Sequence, residues 1–206
     1  MKKVIIITLF CIISLPVNSQ ILVALASGSS PYIPKTKVLE KFPLYPTIKK
    51  FNFNGKELKI IFRDIRDSLN TQKVECSEIE IKNKSEFKSE LGAKVVKSYL
   101  DSLFVNSNIK INNENNENIV KIELKVLDGR VVGFMLPQAH SICQMTFKYK
   151  QLEKNYCVDL KDGDLNAPVG RTTMISKSKA ITLMTCASIR EVIELFLVDL
   201  NNYSEN

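Results

Sequence analysis

The chain has 206 residues, 45% of them apolar and 25% charged, the make-up of one folded domain rather than of a disordered or fibrous protein. Lys and Arg number 29 against 22 acids, for a formal charge of +7, with five Cys, one His and no Trp. A single His excludes multi-His metal centres, and seven Gly are too few for a rich phosphate-cradling loop.

The N-terminus reads as an export signal. Lys2 and Lys3 precede an aliphatic run from Val4 to Ile13, and Val17 and Ser19 are the small residues ahead of a cleavage point, giving a signal peptide over 1–19. The run is shorter than the ~20 residues of a membrane span. Cys11 as a lipid acceptor would need a small residue before it; Phe10 stands there, so there is no convincing lipobox. Cleavage removes two Lys and no acid, leaving a charge of +5. The expected location is exported, periplasmic or associated with the outer envelope. Cys76, Cys143, Cys157 and Cys186 remain, enough for two disulfides in any of three connectivities.

Residues 20–56 form an irregular arm: Pro34, Pro43 and Pro46 oppose regular pairing, while Tyr32, Phe42, Leu44 and Tyr45 make it too apolar for a free linker. From Leu58 the residues alternate as a strand to Arg63, ended by the charges of Asp64-Ile65-Arg66-Asp67. A second strand is expected over 73–82. Asn83 with Glu86 caps a helix over 85–104, whose stripe is Phe87, Leu91, Val95, Tyr99 and Leu103. Ile109 and Ile111 mark a short strand, and the Asn/Glu run 112–118 a polar loop. Val120, Ile122, Leu124 and Val126 alternate with Lys121, Glu123 and Lys125. Asp128-Gly129 is the dipeptide of a type I′ hairpin turn, which would send 131–136 back along that strand. Cys143 to Tyr149 and Tyr156 to Leu160 continue the meander; Cys143 shares the parity of Met145 and Phe147 and points inward, whereas Cys157 points outward, so the two do not bridge. After a loop at 162–175, a helix over 176–200 carries Cys186, Ile189, Ile193, Phe196, Leu197 and Leu200, and 201–206 is a polar tail. The expected fold is α+β over 57–200: an antiparallel sheet covered by two long helices, a two-layer sandwich.

Chemistry is sparsely signalled. No phosphate loop, dinucleotide fingerprint, nucleophile elbow or zinc-protease motif occurs. His140 and Cys143, three apart on a strand, face opposite ways, so neither a metal site nor a Cys–His pair forms; no catalytic residue, metal or cofactor is assigned. Asp64 and Asp67 are the one candidate carboxylate pair, which keeps an exported hydrolase as the alternative. If Val126 packs inward, so do Val131, Gly133 and Met135, leaving Val132, Phe134 and Leu136 on the opposite face beside Lys121, Glu123 and Lys125. That second apolar face needs a cover: either the arm at 32–45 or a bound partner.

The order strand, strand, helix, several antiparallel strands and a terminal helix, with the first strand ending in Asp64-x-Arg66, resembles the YajG-type lipoproteins and the auxiliary lipoproteins of ABC transporters over 57–200. The absence of a lipobox departs from that family. The resemblance implies an α/β sandwich and an envelope accessory role, and brings no catalytic residues. The expected function is a non-enzymatic, exported envelope protein that binds a partner protein or lipid through Val132, Phe134 and Leu136, or an anionic membrane surface through its net positive charge, with no nucleic-acid partner.

Overall fold

The computed structural model describes residues 50–66, 74–77, 90–114, 117–132, 138–168 and 177–204. The signal segment 1–19, arm residues 20–49, Asp67, and most of the expected strand at 73–82 lie outside them.

A five-stranded sheet runs β2-β1-β3-β4-β5. It is built from β1 (Glu57–Asp64), β2 (Lys110–Ile111), β3 (Ile119–Val132), β4 (Gln138–Tyr149) and β5 (Leu152–Lys161). Helices α1 (Glu90–Asn106) and α2 (Lys177–Ser204) complete the described elements. The sheet is mixed, which corrects the antiparallel expectation. β1 is parallel to β2 and to β3, whereas β3, β4 and β5 are antiparallel. The reason is the connection: α1 lies between β1 and its two neighbours, and a crossover of that length brings the chain back in the same direction.

Turn chemistry sets the entry to each element. Asn54 and Gly55 have φ of 55° and 76°, and Lys56 N donates to Phe53 O at 3.0 Å. This tight turn with two positive φ angles aims the chain into β1. Asn108, at φ 57°, stops α1: Ile109 N reaches back to Phe104 O and Asn108 N to Val105 O, the paired bonds of a Schellman cap. Lys150, at φ 52°, sits in the short turn joining β4 to β5.

Asp128-Gly129 is not a turn. Both residues lie inside β3, opposite Ile142 and Ser141, and β3 continues through Val132, so 131–132 do not fold back. The hairpin dipeptide is overruled by a longer ladder: β4 offers a hydrogen-bonding partner to the whole of β3, and a turn at 128 would forfeit several of those bonds. The parity of β3 also changes along its length. Leu124 pairs with Met145 and Val126 with Gln144, so Lys125 is an extra, bulged residue. Val120, Ile122 and Leu124 face the helices. Val126 instead joins Ile142 and Val74 on the other face, while Leu127 returns to the helix side.

The main core lies between the sheet and both helices. Val96, Leu100 and Phe104 of α1 pack with Leu58, Ile122, Met145 and Phe147 of the sheet, and with Ile189, Ile193, Phe196 and Leu197 of α2. Phe196 stacks on Phe147 at 4.3 Å between centroids, and Tyr156 meets both edge-on. α2 reaches Ser204, four residues beyond the expected end of helix at 200. Tyr203 explains this: it extends the stripe of Phe196 and Leu200 and lies edge-on to Tyr149 at 5.9 Å.

The face of the sheet opposite the helices is partly covered as well. Val74–Ser77 form a turn, not the first half of a strand, and lie on the sheet face opposite the helices. Val74 is buried against Val126 and Ile142, and a disulfide joins Cys76 to Cys157 of β5. Cys143 and Cys186 are buried free thiols in the main core.

Candidate functional site

The Asp64-x-Arg66 element closes on itself. Arg66 Nε donates to Asp64 Oδ1 at 2.8 Å and Nη2 to Oδ2 at 2.6 Å, a two-pronged ion pair just past the end of β1. Asp64 is partly exposed, but Arg66 is only 2% exposed because its guanidinium is tucked beneath α1. Gly92 makes the space. A Cβ there would stand 3.1 Å from Arg66 Nη1 and 3.2 Å from Leu127 Cδ2. The motif therefore ties the strand end to the start of the helix. Asp64, the hydrolase candidate, holds a guanidinium, and Asp67 lies outside the described residues.

The opposite face of the sheet carries charged residues beneath and beside the 74–77 turn. Arg130, His140 and Lys161 sit side by side across β3, β4 and β5. Asp128 accepts from Arg130 Nε at 2.5 Å. His140 Nδ1 lies 3.4 Å from Asp159 Oδ1, and Lys161 Nζ lies 3.9 Å from Oδ2. Asp128, Arg130 and His140 are all buried. Burial alone would raise the Asp159 carboxyl. The adjacent His140 imidazole, the Ser77 hydroxyl and the Lys161 ammonium outweigh it and hold Asp159 below the ordinary carboxylate range.

Ser77, His140 and Asp159 thus meet, but not as a nucleophilic triad. Hydroxyl and imidazole both approach the same carboxylate, so the imidazole does not stand between the two as the base of a triad does. His140 and Asp64 also lie on opposite faces. Asp64 has the parity of Leu58, Ile60 and Phe62 on the helix side, whereas His140 has that of Ile142. The sheet stands between them, so no single pocket holds both.

On the helix side, Ser141 Oγ donates to Asp128 O at 3.1 Å and lies 2.9 Å from Ser188 Oγ and 3.4 Å from Thr185 Oγ1, joining β4 to α2 through hydroxyls. Burial pushes the Cys143 thiol far above its ordinary value; the nearby Arg66 charge pulls the other way and does not prevail. Burial lifts Cys186 to about 11 against a hydrogen bond from Tyr99. Neither thiol has the thiolate character of a nucleophile. Among the described residues, no group of three or more His, Cys, Asp or Glu could hold a metal ion, and no helix is long and apolar enough to cross a membrane.

Two surface grooves accompany α1. One, of about 540 Å³, lies along the outer side of β1 and is lined by Ile60, Phe62, Lys97, Leu100 and Asp101. The other, of about 600 Å³, lies near Phe51, Leu103 and Ser107 of the entry segment and α1, and Glu194 and Leu197 of α2.

Of the sequence-predicted partner strip, Val132 is the last residue of β3, opposite Gln138, while Phe134 and Leu136 fall outside the described residues. A second apolar face at this strip requires a turn at 128–129 and unbroken alternation along β3. Neither holds, because β3 runs on and the bulge at Lys125 reverses the parity of Val126. Sequence reasoning missed the Cys76–Cys157 pair. Its signal was partial: opposite parities had already separated Cys143 from Cys157, but no sequence feature could bring Cys76 to β5.

No family model matches the chain, and no curated protein matches it. Its structure is similar to that of a Xanthomonas campestris protein of the DUF330 family model, with TM-score 0.43 and 10% identity over 78% of this chain and 97% of that one. It is also similar to a minor lipoprotein from Acinetobacter baumannii, with TM-score 0.42 and 6% identity over 72% and 94% of the two chains. A third solved structure, of an uncharacterized protein, has TM-score 0.35 at 8% identity over 73% and 94%.

Proposed function

We propose that the chain is an exported cell-envelope protein without a catalytic role, which binds a partner protein or a lipid as an accessory or assembly factor. The observation that carries this reading is the Cys76–Cys157 disulfide joined to the signal-like N-terminus. Structural disulfides belong to oxidising compartments, and the export address leads to one. Ionisable groups that could have served chemistry are engaged in ion pairs, notably Asp64 with Arg66 and Asp128 with Arg130.

The strip Val132, Phe134 and Leu136 remains the proposed contact for the partner. The test expresses the whole chain with a C-terminal tag in a bacterial host. Mature protein from the envelope fraction should begin at Gln20 and contain the Cys76–Cys157 bridge. In-cell crosslinking should trap a partner or lipid on the wild-type chain, and Phe134→Asp should lose it while keeping the far-ultraviolet circular dichroism of the parent. A cytosolic, uncleaved chain would overturn the envelope reading. A Phe134→Asp protein that unfolds would show that the strip belongs to the core.

A further inference from the structure

Among the described residues, the outer side of β1 beyond Leu58 is an open sheet edge. Lys59 N donates to Asn118 O and Ile65 N to Leu124 O, so residues of that parity turn their backbone groups toward β3. Residues of the other parity turn outward, where Lys56 O and Leu58 O accept from Lys110 N and Asn112 N of the β2 segment. β2 pairs only with Glu57 and Leu58, and the bond from Asn112 to Leu58 O is its last. Beyond it, among the described residues, no strand pairs with the outward N–H and C=O groups of Ile60 and Phe62. An edge that continues for several apolar residues is a ready template for another strand.

The two sides of this edge differ in chemistry. On the helix side lies the groove of about 540 Å³, floored by the half-buried Ile60 and Phe62 with Leu100 and Ile111, and rimmed by Lys97, Asp101 and Asn113. On the other side are Lys59 and Arg63 of β1 with Ile61 between them, and Lys121 and Glu123 of β3 opposite Ile61 and Arg63. A strand added along Ile60–Asp64 would send alternate side chains onto the apolar floor of the groove and toward the cations.

We infer that the outer edge of β1 is a strand-addition site for an extended segment of a partner protein in which apolar and acidic residues alternate. The inference rests on the proposed partner-binding role and adds a surface separate from the 132–136 strip. Main-chain bonds to Ile60 and Phe62 supply affinity. The groove and the cations fix which face of the incoming segment turns inward.

The test uses the mature, disulfide-bonded, ¹⁵N-labelled chain. Its probes are a six-residue peptide of alternating valine and glutamate and a counterpart of alternating valine and lysine. At saturation the valine–glutamate peptide should slow amide exchange at Ile60 and Phe62 by about tenfold or more, leaving Ile61 and Arg63, already bonded to β3, little changed. Arg63→Glu, an exposed substitution, should weaken that peptide at least about tenfold and favour the lysine peptide. Phe62→Pro, which removes one outward N–H, should abolish binding if the variant folds; Arg63→Glu keeps the test decisive if it does not. Unchanged exchange at Ile60 and Phe62, or equal binding of both peptides, would overturn the inference. So would protection of the same amides by self-association without peptide, which would make a second copy the occupant. A failed titration with Phe134→Asp still losing its partner would refute this edge and leave the proposed function standing. The titration itself is read independently of the Phe134→Asp result.

Discussion

Arg66 joins three parts of the molecule with one guanidinium: it binds Asp64 at the end of β1, fills the notch at Gly92 of α1 and lies near Leu127 of β3. Replacing it with Ala removes a buried cation and leaves a void beneath the helix. The partial exposure of Asp64 lets water resolvate the orphaned carboxylate, so the expected loss is about 2–3 kcal/mol rather than the full cost of stranding a buried charge. Urea denaturation of Arg66→Ala against the parent measures it. Gly92→Ala should not show the gain of up to ~1 kcal/mol that alanine usually brings to a helix interior, because the guanidinium it would crowd is fixed on both prongs. Asp159 makes a second prediction at this scale. Its carboxyl is held below the ordinary range in the folded chain, so the stability it contributes is present above the unfolded value of about 3.9 and is lost as pH falls through the lower folded value. Unfolding free energy followed downward from about pH 5 should therefore fall less steeply in Asp159→Asn than in the parent.

At the scale of elements, the disulfide decides how the 74–77 turn is held. Its cysteines are 81 residues apart in sequence, and tying them restricts the unfolded chain more than the folded one. Cys157→Ser should cost about 2–4 kcal/mol by chemical denaturation. Thiol counting tests the pairing itself. Unreduced mature protein should take up no alkylating label when native, because Cys143 and Cys186 are buried, and two labels when denatured. One half of this arrangement was legible in the chain: the alternation around Phe147 put Cys143 inward, and the alternation around Tyr156 put Cys157 outward. The stripe of α2 was legible for the same reason, a period that one residue after another repeats. Three features were not. The turn expected at Asp128-Gly129 rests on a local preference that a twelve-residue facing strand overrides. The bulge at Lys125 breaks the alternation without changing residue types. Asn54-Gly55 carries the positive φ angles because it lies between an irregular segment and β1, a context the dipeptide alone does not specify.

For the whole molecule, β4 is the organising strand. It pairs along most of its length with β3 and β5, and its helix face packs on α2, whereas β1 and β2 form the thinner flank of the sheet. Global protection should follow that layout. Native-state hydrogen exchange should be slowest for ladder amides of β3, β4 and β5 and the buried middle of α2, and faster for β2 and the outward amides of β1. Equal protection of the β1 edge would mean that another segment of the chain covers it. Composition by itself marked the chain as folded rather than disordered or fibrous, and its short-range alternation determined most of the described strands and both helices, because those properties depend on neighbouring residues. Tertiary structure alone decided that β1 runs parallel to β3, that the sheet is covered on a second face by a turn pinned through Cys76, and that Asp64 and His140 lie on opposite sides. Each of these depends on which distant segments meet, and residue pattern along one stretch carries no record of its partner.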